Sequence, residues 1–368
     1  MKRINYNLKN EDIENYYLEI TKDRDKRFLL YNKVSTIDNF LKTINKSFSF
    51  KDIILADFSR LLYYITCIET HIEVIIKPQI LNNYKGNERQ YAEDFFKARN
   101  NTKYKNLIKI DEDKKKKISK EINKKICSIF CGIETILYEN GTICECISDF
   151  FMKHSEDLNI KTCYYCNIDF VNIFENNTKN HFTLDHILPK SKYPYLSISL
   201  FNLIPSCYSC NSKFKRQKEF EKLDFLNKIS PSSKTFELDK LLEFKLNFDI
   251  SSIDFEDRLL KIKEIKDFKV ELKNVKLEEE VDIFLDMFAL KARYEFHQNI
   301  SFDMIKKRKK YSDSQINEIE KLFFDKGISI DKETLKKDIF GSMIFAKEDT
   351  NEPFEKYKKD IAKQLGLI

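Results

Sequence analysis

Two Cys-x-x-Cys pairs constrain this chain more than any other feature: Cys163 with Cys166 and, about forty residues on, Cys207 with Cys210. A CxxC turn lets two thiolates converge on one ion. Two such turns fill the tetrahedral shell of zinc with no open position, which marks a structural site rather than a catalytic one. An ion held there staples the start and end of a segment too small to carry its own core. Four ordinary buried thiols would not account for two pairs of identical spacing, each holding tyrosine but little other apolar mass. Nine cysteines leave one over in any disulfide scheme, which favours metal ligation in a reducing compartment. Cys144 and Cys146 lack the spacing, Cys127 and Cys131 lie on or beside an apolar helical stripe, and these four with Cys67 read as core thiols.

The rest of the composition points to helices. Six glycines and six prolines in 368 residues are too few for a fold built on many tight turns. A hydrophobic content of 42% is ample for a packed core, and the length admits one large domain or two to three ordinary ones. The net charge of +6 permits a nucleic-acid partner without requiring one. No run of about 18 apolar residues occurs and the first residues lack the apolar core of a signal peptide, so a soluble, cytoplasmic protein is expected.

Taken in order, residues 1–158 read as a helical domain. Ile54, Phe58, Leu61, Ile65 and Ile68 recur at spacings of one helical face, and Pro78 is expected to end or kink the next helical segment. Residues 90–99 form another helical segment. Lys114 to Lys117 read as a solvated helix start or, alternatively, a phosphate contact. The stripe Ile118, Ile122, Ile126, Ile129, Ile133 and Leu137 predicts a long amphipathic helix capped at Asn140-Gly141. Residues 159–228 form the central module, Ser230-Pro231-Ser232-Ser233 reads as a linker, and 234–368 form a mostly helical C-terminal domain. Within it Phe244, Leu246, Phe248 and Ile250 alternate as in a half-buried strand, after which Val281, Leu285, Phe288 and Ala292 share a helical face. Lys306 to Lys310 end a helical segment, where a dipole-compensating role and a nucleic-acid contact are equally natural. Residues 353–368 predict a last short helix.

The central module also concentrates the chemistry. Phe182-Thr183-Leu184 predicts a short strand that delivers Asp185 and His186 to its end. Ile187 and Leu188 then return to the core, and Pro189 breaks the strand. A carboxylate beside an imidazole can hold a divalent ion and accept a proton from water. Asn202 opens the stretch NLIP, and Asn211 follows Cys210 at the start of a segment rich in Lys213, Lys215, Arg216 and Lys218. Lys190, Ser191, Lys213, Lys215 and Arg216 are candidate phosphate contacts. His181 falls on the strand face of Asp185, so a substrate contact stands as the alternative to a structural role; His297 reads as structural, and His71 and His154 lack partners in the sequence.

This pattern resembles the HNH (His-Me finger) endonucleases, and the flanking CxxC pairs resemble the zinc-stabilised branch of that family. The resemblance covers about sixty residues. It implies a ββα-metal finger in which His186 is the general base, Asp185 and Asn211 bind one Mg²⁺ or Mn²⁺ ion, and Asn202 pins the connecting loop and so orients His186. It implies hydrolysis of DNA phosphodiester bonds. The alternatives are an RNA-directed nuclease and an inactive zinc module that binds nucleic acid or a partner protein. The wording DHILPKSKYPYLS…NLIPSCYSCN, with its helical extension, is similar to bacterial defence-associated HNH proteins of the Septu and retron-effector kind. That similarity implies an antiviral role beside a dedicated ATPase, since this chain has no Walker A pattern of its own.

Overall fold

The computed structural model describes residues 1–22, 30–100, 110–133, 141–174, 179–216, 218–220, 222–248 and 255–368. Among them the chain is mostly helical, with three two-stranded antiparallel ribbons. The ribbons are β1 (Ile173–Phe174) with β2 (Lys179–Asn180), β3 (Thr183–His186) with β4 (Leu203–Ser206), and β5 (Leu242–Phe248) with β6 (Phe268–Asn274).

The N-terminal stripe is buried as its spacing predicts, but it spans two helices, Phe50–Leu55 and Phe58–His71. Asp57 causes the break: its backbone is extended and its carboxylate accepts from the Arg60 amide at 3.0 Å, starting a new helix. Pro78 neither ends nor breaks the next segment. The helical run continues from Phe58 through Pro78 to Leu81, and its distortion is a widened π-turn at Ile72–Ile76 just before the proline, which has no N–H to donate. Helix Gly86–Asn100 comes after it.

Helix Glu112–Ile129 buries Ile118, Ile122 and Ile126 and exposes Lys114, Lys116 and Lys117, so this lysine run lies on the solvent face of the helix start, where both readings put it. The helix is shorter than the stripe implies. Cys131 and Gly132 take left-handed φ values of 55° and 67°. Their amides close on the carbonyls of Ser128 and Cys127 at 3.0 and 2.9 Å. That double closure terminates a helix, and Ile133 reaches the core from beyond the turn. Leu137 and Asn140, and with them the expected cap, lie outside the described residues; Gly141 opens helix Gly141–Lys153.

The stretch Ser230 to Ser233 is buried, unlike an exposed linker. Ser232 donates to the Phe201 carbonyl at 2.5 Å and the Ile4 amide to that of Pro231 at 2.7 Å, so the turn is packed under the central module. β5 lies where alternation predicts a strand, with Ile250 outside the described residues. Its partner β6 is an addition to the sequence reading. The amides of Phe244 and Leu246 are met by Asp360 and Gln364 of the last helix, Glu355–Gln364, which covers this edge.

The predicted face of Val281, Leu285 and Phe288 is buried, but Ala292 is exposed. Ala289 adopts a left-handed φ of 49°, ending helix Glu279–Met287 and starting Leu290–Glu295 on a new axis. That change of direction turns Arg293 and Tyr294 toward the cysteine pairs. In helix Gln298–Lys310, Lys307, Arg308 and Lys309 donate to the carbonyls of Ile339, Leu365 and Leu260. The run is thus built into the C-terminal packing. Among the described residues no helix is long and apolar enough to cross a membrane.

Candidate active site and metal centre

β3 and β4 pair in the register Asp185↔Ile204 and His186↔Leu203, and a wide helical turn at Ser209–Lys215 comes next. One hydrogen-bond relay fastens that turn to the hairpin. Asn211 Nδ2 donates to Thr183 Oγ1 at 3.0 Å, and Thr183 Oγ1 donates to the Ser206 carbonyl at 3.1 Å. Ile187 and Leu188 return to the core.

Asp185, His186 and Asn211 line one cleft of about 560 Å³. Lys190, Ser191, Arg216 and Lys218 also line it, whereas Lys213 is exposed on the same turn. Helix Gly141–Lys153 forms another wall through Cys144, Ile147 and Ser148. Cys144 is thus an exposed rim residue and not a core thiol. The base of the Lys190 loop is anchored by Arg99, which grips Glu69 at 2.9 and 3.0 Å and donates to the Lys192 carbonyl. A larger cleft of about 720 Å³ lies between the first five residues and the 347–363 segment. Several of its lysines and acids are paired with one another, as in Lys2–Asp349, Lys356–Asp360 and Lys359–Glu355, and it contains none of the hairpin's groups.

Asn202 is buried and does not touch the cleft of the hairpin. Its oxygen accepts from the Leu188 amide at 2.8 Å, and its amide group donates to the carbonyls of Leu188 and Leu196, both at 3.0 Å. Both ends of the loop from Leu188 to Leu196 are thereby pinned. The next residue, Ser197, offers its carbonyl to His186 Nε2 at 2.7 Å. A carbonyl can only accept, so Nε2 carries the proton and the lone pair of the neutral ring lies on Nδ1. Burial lowers the His186 pKa to about 4 against the opposing pull of that carbonyl, so the imidazole is neutral at physiological pH.

Asp185 is buried and held on both oxygens. Tyr165 donates to Oδ2 at 2.6 Å, and Lys215 Nζ meets Oδ1 at 3.0 Å while also donating to the His186 carbonyl at 2.8 Å. Lys215 is therefore removed from the candidate phosphate contacts: it is buried and ion-paired. Each carboxylate oxygen has a second lone pair, and Asn211 commits its amide group to Thr183, leaving its oxygen to act as a ligand. The pair suits a hard ion such as Mg²⁺ that takes one or two protein oxygens and completes its shell with water and phosphate.

The four thiols of Cys163, Cys166, Cys207 and Cys210 are buried, with their sulfurs all within 4.8 Å of one another. Zinc at ~2.3 Å from each sulfur would place them ~3.8 Å apart, so the donor set and spacing fit that ion. Arg293 closes the centre from outside, with Nη1 to Cys210 Sγ at 3.2 Å and Nη2 to Cys166 Sγ at 3.5 Å and to Asp169 at 2.9 Å. Neither Arg293 nor the Tyr165 contact can be inferred from sequence spacing. Tyr165 is visible inside CYYC but its partner is not, and Arg293 lies 83 residues beyond Cys210. His154, for which the sequence offers no partner, meets Asp157 at 3.2 Å and is structural. His181 is exposed at the hairpin's foot.

No curated protein and no solved structure shows significant similarity to the chain. The family model described as HNH endonuclease matches residues 163–217, from the first cysteine through the helical turn that carries Asn211 and Lys215. Residues 163–217 form an HNH endonuclease domain.

Proposed function

We propose that the chain is a metal-dependent endonuclease that hydrolyses DNA phosphodiester bonds at the cleft holding His186, Asp185 and Asn211. One observation carries the reading. His186 spends Nε2 on the Ser197 carbonyl and so presents a neutral Nδ1 beside a buried carboxylate and an amide oxygen. Nδ1 takes the proton of the attacking water, a role worth ~10²–10⁴-fold in rate. Asp185 and Asn211 would hold the divalent ion, which when bound offsets charge on the phosphate and leaving oxygen. Lys190, Lys213, Arg216 and Lys218 supply cations for the flanking phosphates, and Asn202 keeps the His186 loop in place. The finger then has the ββα-metal arrangement, and the four cysteines hold structural zinc.

The wording shared with defence-associated HNH proteins supports an antiviral role beside an ATPase partner; the sequence has no Walker A pattern, so ATP-driven control would come from that partner. The test is cleavage of supercoiled and linear DNA, beside matched RNA, by purified protein with Mg²⁺ or Mn²⁺. His186→Ala should lose cleavage while retaining about one zinc per chain. Undiminished cutting by that variant ends the assignment. Preferential cutting of RNA transfers the chemistry to the other polymer. Zinc-loaded protein that stays inactive even with co-purified neighbours supports the binding module instead.

A further inference from the structure

We propose that Tyr165 is a positioning residue for Asp185, through which the four-cysteine centre sets the orientation of the carboxylate that holds the catalytic ion. The proposal rests on the nuclease reading of the cleft. Its basis is where the two donors to Asp185 come from. Tyr165 lies between Cys163 and Cys166 in the first knuckle, and Lys215 ends the helical turn Ser209–Lys215 that contains Cys210 of the second. Each knuckle thus sends one donor to one oxygen of the same carboxylate, at 2.6 and 3.0 Å. The distance between those donors is fixed only when the knuckles are closed on each other.

Tyr165 has little freedom to do anything else. Its ring is fully buried, stacked on Phe288 with centroids 4.6 Å apart at 20° and edge-on to Phe284 at 6.3 Å. Its backbone is held by the turn, where the Asn167 amide closes on the Cys163 carbonyl at 2.8 Å. A rigid ring with a fixed root delivers its hydroxyl to one place. Partners that orient a ligand in this way matter nearly as much as the ligand itself. Lys215 extends the effect by bridging the Asp185 carboxylate and the His186 carbonyl, so a shift of either knuckle is felt at both residues of the pair.

Tyr165→Phe tests this, because it keeps the ring between Phe284 and Phe288 and removes only the hydroxyl. Mn²⁺ affinity is read by electron paramagnetic resonance on zinc-loaded full-length protein, alongside zinc content and steady-state cleavage. The expected result is Mn²⁺ binding weaker by about 10–100-fold and a lowered kcat, with zinc content and the KM for nucleic acid unchanged. Phe288→Leu, which frees the ring but leaves the hydroxyl, should give a smaller loss of the same kind and carries the test if Tyr165→Phe fails to retain zinc. A purely structural tyrosine would lower the melting temperature without moving Mn²⁺ affinity. Wild-type Mn²⁺ affinity and kcat in zinc-loaded Tyr165→Phe overturn the proposal while the nuclease reading stands. Asp185→Ala, which removes the ligand oxygens, separates the two: if it binds Mn²⁺ as well as wild type, Asp185 is not a ligand, and the reading of the site fails along with the proposal.

Discussion

Asn202 shows how one side chain can matter without facing the substrate. It satisfies three backbone groups of a buried loop, and each left unpaired costs about 1–3 kcal/mol. Asn202→Ala should therefore destabilise the protein by about 3 kcal/mol or more, read as a lowered urea midpoint. Asn202→Asp, nearly isosteric, should be no better, because its carboxylate would face the Leu188 and Leu196 carbonyls. A midpoint unchanged in both variants would mean that the loop holds itself. Asp185, His186 and Asn211, the residues proposed to carry the chemistry, were picked out in the sequence by type and order, and the fold brings all three to one cleft. Tyr165 and the true role of Lys215 were not. A hydroxyl or an ammonium that braces a carboxylate can come from any segment, and Lys215 sits in a basic run that looks like a phosphate track.

Elements obey the same division. Apolar periodicity located the buried faces at Ile54–Ile68, Ile118–Ile126 and Val281–Phe288, yet missed where each helix stops. Asp57, Cys131 and Ala289 set those ends through a cap or a left-handed backbone, and hydrophobic spacing carries no record of either. Strand β6 was not read from the sequence: Phe268, Val270 and Leu272 are buried between charged neighbours, but its lysines make it look like a polar helix edge. The run Lys306 to Lys310 illustrates how packing decides between two readings of equal charge. Arg308 bonds the Leu365 carbonyl and Asp313, at 3.1 and 2.9 Å, while Lys306 meets only residues of its own helix, Asp303 and the Phe302 ring. Arg308→Gln should cost about 1–2 kcal/mol of stability, whereas Lys306→Gln should fall within about 0.5 kcal/mol of wild type. Neither should alter the salt dependence of nucleic-acid binding. A slope reduced by about one per charge removed would return the run to the phosphate contacts.

Across the whole molecule, the four-cysteine centre is where the C-terminal helices meet the endonuclease domain. Zinc held by four thiolates would be doubly negative, and Arg293 would supply an opposing charge from helix Leu290–Glu295. Its guanidinium also lies 5.1 Å from the Phe214 ring centroid, and the neighbouring Tyr294 donates to the Cys166 carbonyl at 2.5 Å. One contact therefore does two things: it offsets charge on the metal centre and docks the C-terminal helices on the domain. The sequence could announce the four-cysteine centre, because its cysteines fall in two closely spaced pairs, but not this partner from a distant segment. Because the same bonds serve both ends, zinc affinity and C-terminal docking should be thermodynamically linked. Arg293→Gln should weaken zinc binding by about 10–100-fold in competition with a chromophoric chelator, and should expose the C-terminal helices to protease at lower temperature. Arg293→Lys should recover only part of either, since an ammonium cannot span two sulfurs and a carboxylate as a planar fork does. Linkage also runs in reverse: stripping zinc from the wild type should open the same cleavage sites that Arg293→Gln opens. If the variant keeps wild-type zinc affinity, or zinc removal leaves those sites protected, the centre staples the endonuclease domain alone and the C-terminal helices dock by their apolar contacts.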